Sequence, residues 1–304
     1  MTKFFKTLWK IVSFPFVLIF RIIALPFRAV KRFHNFLNEV PEENPMMDVV
    51  AGVITDPDVR QHFWREFDVF RRHLLRAVIG LIVGVAVSFK YTIPLMTYLS
   101  SPIGGLENLQ AIEVTEEIGV FMRVALMSGI AIMLPYIAFE LWLFAAPGLR
   151  PRERKMGMAG IPLAAILFAG GMAFTFYLLL PTALPFLGGF TQIAESWSAR
   201  EYFRFVTGLM LWIGLFFEFP LVVYILTSIG FIKPSVLSSQ WRLAVVIIAI
   251  IAAAVTPTID AVTMGLVMIP LTLLYFVSIG LSYIAYAGRR RIEARSAEGE
   301  KESG

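Results

Sequence analysis

Six stretches of this chain are apolar on every side: 74–91, 118–144, 156–184, 203–227, 243–255 and 261–285. A helix needs about 20 such residues to cross the hydrocarbon layer of a bilayer. A soluble surface helix would show a polar stripe at the 3.6-residue period, and a membrane strand would alternate over about ten positions. Neither pattern is present. Inside lipid the backbone must satisfy its own hydrogen bonds, which leaves helices. Only 16% of the 304 residues are charged, against about 25% in an ordinary soluble domain. The chain reads as an all-α integral membrane protein with six spans.

Positive charge then orients the spans. All but four of the 27 lysines and arginines fall in the segment leading into the first span, the loops after the second and fourth spans, or the tail. The four exceptions are Lys90, Arg123, Arg200 and Arg204. Cytoplasmic loops carry the excess of Lys and Arg, so both termini are expected on the cytoplasmic side. The fifth stretch has 13 residues, about 20 Å of helix at 1.5 Å per residue. That is short for a core of about 30 Å, and local thinning of the bilayer is expected around it.

Residues 1–37 form a segment of their own. Lys3, Lys6, Lys10, Arg21, Arg28, Lys31 and Arg32 share one sector of about 100° on a helical wheel, with Phe, Leu, Ile, Val and Trp over the rest. An in-plane helix on anionic lipid headgroups fits this pattern best, kinked at Pro15 and Pro26. A seventh span and a cleaved signal are the competing readings. Against them stand an apolar run of only ten residues before Arg21 and the lack of a small-residue cleavage site. Residues 38–63 read as a polar linker, 64–288 as the six-span domain, and 289–304 as a charged, disordered cytoplasmic tail.

Several function classes fall away early. There is no cysteine, and His34, His62 and His73 all lie outside the apolar stretches. No phosphate loop or zinc helix occurs. Neither a cofactor, a metal, an enzymatic activity nor a nucleic-acid partner is expected. What remains is a small set of misplaced polar groups. Glu218 lies near the middle of the fourth stretch, two residues before Pro220. Proline withholds a backbone donor and breaks the turn that contains the glutamate. Glu218 is either a protonated carboxyl capping that freed backbone or a functional carboxylate facing a polar groove. Pro135, Pro162, Pro181 and Pro270 interrupt other stretches, which lets a single layer of helices curve. Glu140 closes the second span, and Asp260 follows Thr256-Pro257 in a tight turn at the outer edge. Glu153 stands among Arg150, Arg152, Arg154 and Lys155, with Glu66 and Asp68 ahead of the first span. These acids are either charge-balanced surface or a receptor for a cationic ligand.

The order of these features resembles the TatC family, the multispanning subunit of the Sec-independent, twin-arginine protein translocase. Phe70-Arg71-Arg72-His73-Leu74-Leu75 is similar to the family's basic, leucine-rich start of the first helix. The run 139–149 (FELWLFAAPGL), followed by Glu153-Arg154-Lys155, resembles its cytoplasmic signature. Phe217-Glu218-Phe219-Pro220 resembles its fourth-helix glutamate motif, and Thr256-Pro257 with Asp260 its last interhelical turn.

The resemblance implies a curved, concave bundle that receives twin-arginine signal peptides of folded cargo. It also implies assembly with TatA/TatB-type single-span proteins and with further copies of itself in the cell's inner membrane, driven by the proton-motive force. Glu153 matches the family's loop glutamate, and Arg71, Phe144, Leu149, Arg154 and Lys155 match neighbouring signal-binding positions. Guanidinium–carboxylate pairing suits that task. The family's other glutamate falls at Val69 here, so Asp68 or Glu66 is expected to supply the second charge. A proton-coupled transporter of a small solute, with Glu218 as its coupling site, is the alternative; the absence of an internal repeat counts against it.

Overall fold

The computed structural model describes residues 36–38, 57–188, 197–256 and 261–302, with side chains over 36–38, 67–186, 197–256 and 261–290. Its helices are α1 (Pro57–Ser88), α2 (Thr92–Leu99), α3 (Glu116–Ala145), α4 (Pro151–Phe174), α5 (Leu180–Gly188) and α6 (Ala199–Phe217). They continue as α7 (Phe219–Ile229), α8 (Pro234–Ser239), α9 (Trp241–Val255) and α10 (Ala261–Glu302). Five continuous helical stretches are long and apolar enough to cross a membrane: Phe67–Ile103, Glu116–Gly148, Pro151–Phe186, Ala199–Ile229 and Ala261–Arg290. The sixth apolar helix, Trp241–Val255, has 15 residues and falls short of the length of about 20 that a perpendicular crossing needs. The expected count of six is therefore five long helices and one short one. The in-plane helix expected over 1–37 lies, except for 36–37, outside the described residues.

Two boundaries differ from the sequence expectation. Helix α1 starts at Pro57, inside the stretch read as a linker up to residue 63. Proline is well suited to a first helical position, where its missing donor has no partner to lose. At the other end α10 runs on to Glu302 through the tail read as disordered from residue 289. That tail is rich in Arg, Ala, Glu and Lys, all strong helix formers. Extending an existing helix also avoids the cost of nucleating one.

Two of the prolines coincide with an irregularity of the backbone ladder, and others lie inside continuous helices. Pro135, Pro162 and Pro270 lie within α3, α4 and α10. Ahead of Pro181 the third span widens into a π turn at Thr175–Leu179, a common accommodation of a broken ladder. Pro220 stands in the first turn of α7, and Glu218 is the single residue between α6 and α7.

Helix α6 is the centre of the packing. Its buried residues Phe203, Val206, Leu209 and Ile213 join Val124 and Met127 of α3, Leu180 of α5 and Val267 and Leu271 of α10. Tyr202 of the same helix donates its hydroxyl to the Leu99 carbonyl at 2.7 Å. The outward surface is apolar: Ile79, Ile82, Ile166, Ile250 and Ile269 are all exposed, as a lipid-facing surface requires. Helix α7 meets α10 through Thr227 and Ser282, whose buried hydroxyls are 2.8 Å apart.

Small residues set the closest approaches. Gly80 and Gly84 of α1 face α3, a four-residue spacing that lets helix backbones come together in lipid. A Cβ on Gly129 of α3 would stand 2.8 Å from the Val85 nitrogen. Near Glu218, a Cβ on Gly171 would stand 2.8 Å from the Gly214 Cα. In both places backbone, which cannot swing aside, is the obstacle. Gly129→Ala is therefore expected to lower stability by about 1–3 kcal/mol through overpacking. Thermal unfolding of the detergent-solubilised protein measures this, and an unchanged midpoint would count against the seam.

Candidate functional site

The most elaborate polar construction of the Glu153 end is the loop joining α3 to α4. A 3-10 turn, Ala146–Gly148, closes α3, and Arg150 precedes the first turn of α4. Arg154 is only 2% exposed and its guanidinium folds back on this loop. Its Nε donates to the Ala146 carbonyl at 2.8 Å and its Nη2 to the Leu149 carbonyl at 3.3 Å. The indole of Trp142 donates in turn to the Arg154 carbonyl at 3.1 Å. A buried guanidinium needs its donors satisfied, and here loop carbonyls do this. Arg154, expected beside a ligand, is thus a latch that fixes the loop.

Glu153 is held by that latch. It lies in the first turn of α4, and Oε2 accepts the Arg150 N–H at 3.0 Å. Carboxylates are favoured at a helix N-terminus. Glu153 makes no ion pair with the described residues, although Arg150, Arg152 and Lys155 adjoin it in sequence. Arg150, Arg152 and Lys155 are exposed and Leu149 is half-buried.

The start of the first long helix joins this end through aromatic and ionic contacts. Phe70 meets Phe144 edge-on at 5.1 Å between ring centroids. His73 Nδ1 lies 2.7 Å from Glu140 Oε2, and the Tyr136 hydroxyl donates to Glu140 Oε1 at 2.9 Å. Glu140 is buried and its carboxylate is fully used inside the fold. Asp68 and Arg71 on the same helix are exposed. The Asp68 carbonyl accepts from Arg72 Nε at 3.2 Å, while its carboxylate has no partner among the described residues. Glu66 belongs to α1, with its side chain outside the described residues; Asp260 lies outside them altogether.

Glu218 stands apart from this cluster, in the break between α6 and α7. Its N–H bonds the Leu215 carbonyl at 3.1 Å and its own carbonyl accepts from Val222 at 2.9 Å. The side chain is half-buried, and Oε1 is shielded from solvent without a hydrogen-bond partner among the described residues. Unpaired polar atoms are costly in such surroundings, and the capping role for the carboxyl finds no such bond at this oxygen. Pro220 is buried beside it.

The opposite end holds a carboxylate that sequence reasoning missed. Glu116, 2% exposed, opens α3. Its Oε2 accepts the N–H groups of Ile112 at 2.8 Å and Glu113 at 3.2 Å. Its Oε1 accepts the Ser198 hydroxyl at 2.8 Å and the Arg200 N–H at 2.6 Å. Arg200 clamps Glu113 with both Nη atoms, at 3.1 and 2.6 Å. Leu109 and Gln110 pair in parallel with Trp197 and Ser198 alongside. Two interhelical connections are thus locked into one cap. The only signal in the sequence was an acid at a helix start.

The family model for the Sec-independent protein translocase protein TatC matches residues 66–270. The chain belongs to the TatC family. Curated relatives with the name Sec-independent protein translocase protein TatC include one from Halalkalibacterium halodurans, 33% identical over 77% of this chain and 94% of the relative. Another from Deinococcus radiodurans is 33% identical over 70% and 83%. A crystal structure titled Twin Arginine Translocase Receptor-TatC superposes with a TM-score of 0.66 at 31% identity, over 72% of this chain and 99% of that one. As a member of that family, the chain is a multi-pass membrane component of a protein translocase, a transport subunit.

Within this TatC fold, Glu140 ties α1 to α3 at the Glu153 end. Glu140→Ala would strand His73 and Tyr136 and is expected to cost about 1–3 kcal/mol. Glu140→Gln keeps an acceptor and is expected to lose less. Thermal unfolding of both variants in detergent decides; equal losses would show that the acceptor itself does not matter.

Proposed function

We propose that this chain is the receptor subunit of a twin-arginine translocase, and that it binds the arginine pair of signal peptides at its Glu153 end. The carrying observation is Glu153 itself, a helix-start carboxylate on a latched loop with no ion pair among the described residues. A guanidinium forms paired, charge-assisted bonds with such a group. Asp68, exposed on α1 with no carboxylate partner among the described residues, is the second acid in this reading, and Glu66 is available beside it in sequence. Arg71, Phe144, Leu149 and Lys155 shape the ground around them. Arg154 contributes by holding the loop.

In this reading the Glu153 end faces the cytoplasm of a cell whose inner membrane holds the protein, with the N-terminal extension on anionic lipid. Positive charge at that end supports the orientation. Bound signal then leads to assembly with TatA/TatB-type single-span proteins and with other copies of the chain, and folded cargo crosses at the expense of the proton-motive force. The short helix Trp241–Val255 is where the bilayer thins to meet it. Glu218 acts after signal binding, its half-buried carboxylate standing in the break between α6 and α7.

Photocrosslinking of a synthetic twin-arginine signal peptide tests the receptor site. Glu153→Ala is expected to weaken binding about tenfold or more, the scale of a lost hydrogen bond to a charged group. Asp68→Ala is expected to act in the same direction. Unchanged crosslinking in both would overturn the assignment. For Glu218→Ala the expectation is normal peptide binding with loss of export of a folded reporter in a translocase-deficient cell. Export at the normal rate would return Glu218 to a purely structural part.

A further inference from the structure

The Arg154 latch has a third partner from a distant part of the chain. Its Nη1 donates to the carbonyl of Phe36, and its guanidinium lies over the Phe36 ring, 4.5 Å from the centroid. That ring also meets Trp142 edge-on at 6.4 Å and 87°. Trp142 in turn stacks on Phe139 at 5.8 Å. Residues 36–38 form a helical turn, with Phe36 and Leu37 half-buried. They precede the matched family region, which starts at residue 66, so this contact belongs to the extension and not to the family core.

The chemistry of the pocket is specific. Two of the guanidinium's acceptors, the carbonyls of Ala146 and Leu149, come from its own loop. A further donor, on Nη1, and the flat cationic face are met by a peptide carbonyl and an aromatic ring from one residue. A cation over an aromatic face gains most where water is excluded, and Arg154 is almost wholly buried. Trp142, Phe139 and Arg154 therefore make a receptor for an aromatic residue of a peptide backbone. Glu153, next in sequence to Arg154, borders it. The segment that fills the pocket also carries a basic pair, Lys31-Arg32, ahead of Phe36.

We propose that the Phe36 segment is an internal peptide ligand of the Glu153 end, anchored by its ring in the Trp142–Arg154 pocket, and that an incoming twin-arginine signal peptide displaces it. This rests on the receptor reading above. The signal places its own apolar residues where Phe36 sits and its arginines on Glu153. A site that is mostly occupied by its own chain binds an external ligand more weakly in proportion to the free fraction. The extension thereby sets a threshold that only a well-matched signal passes.

The test uses the full-length chain in lipid nanodiscs with the photoreactive amino acid p-benzoylphenylalanine at position 36. Irradiation is expected to give an intramolecular adduct to the 139–154 stretch, located by mass spectrometry, and a synthetic twin-arginine signal peptide is expected to suppress it. Fluorescence titration of the same peptide is expected to show about tenfold tighter binding to Phe36→Ala if the segment fills the pocket about nine-tenths of the time. Phe36→Tyr, which keeps ring and carbonyl, is expected to bind like the unaltered chain. No adduct, an adduct indifferent to bound peptide, or equal affinity of Phe36→Ala and the unaltered chain would each overturn the internal ligand. A peptide that binds neither chain while the adduct forms would overturn the receptor reading instead, and the competition with it.

Discussion

A backbone surrounded by hydrocarbon has no water to complete its hydrogen bonds, and the architecture follows from where this chain departs from that rule. The long apolar stretches are helices because each helix satisfies itself. Every interruption then has to be accommodated by something local. At Thr175–Leu179 the ladder widens ahead of Pro181. At Glu218 it breaks between two helices, and the carboxylate is left in the gap with Oε1 unpaired among the described residues. At the ends of α3 the backbone turns with help from charged side chains, Arg154 at one end and Glu116 at the other.

The two ends use that device in complementary ways. Glu116 collects four donors and joins two connections into a cap, with Arg200 and Glu113 closing it from outside. Arg154 collects carbonyls and shapes a loop, which leaves the neighbouring Glu153 presented at a helix start. Glu116 is saturated by its four donors, whereas Glu153 forms no ion pair with the described residues. This asymmetry is what directs the receptor reading to the Glu153 end. It also explains why a segment of the chain's own extension, bringing a carbonyl and an aromatic ring, finds a place there.

Much of the candidate site was legible because its residues violate their surroundings. Glu218 before Pro220 in an apolar run, or Glu153 amid basic residues, stands out by composition alone. Glu116 did not, since an acid at the start of a helix is unremarkable until its four partners from two connections are seen. The glycines were similarly silent. Gly80 and Gly84 look like ordinary small residues of a span until α3 brings Gly129 against Val85. Arg154 belongs to a motif in the sequence, and only the packed structure shows its guanidinium buried on loop carbonyls.

The sequence by itself determined that the chain is helical and membrane-embedded, which stretches are long enough to cross, and which family its motifs resemble. These depend on local quantities: run length, helix period and residue order. Tertiary structure alone decided the roles of the charged groups. Whether a carboxylate is spent on backbone donors, paired with His73 or left available depends on neighbours up to a hundred residues away, as Glu116, Glu140 and Glu153 show in turn. Hydrogen bonds are short-ranged and directional, so no pattern along the chain specifies them before the helices have packed.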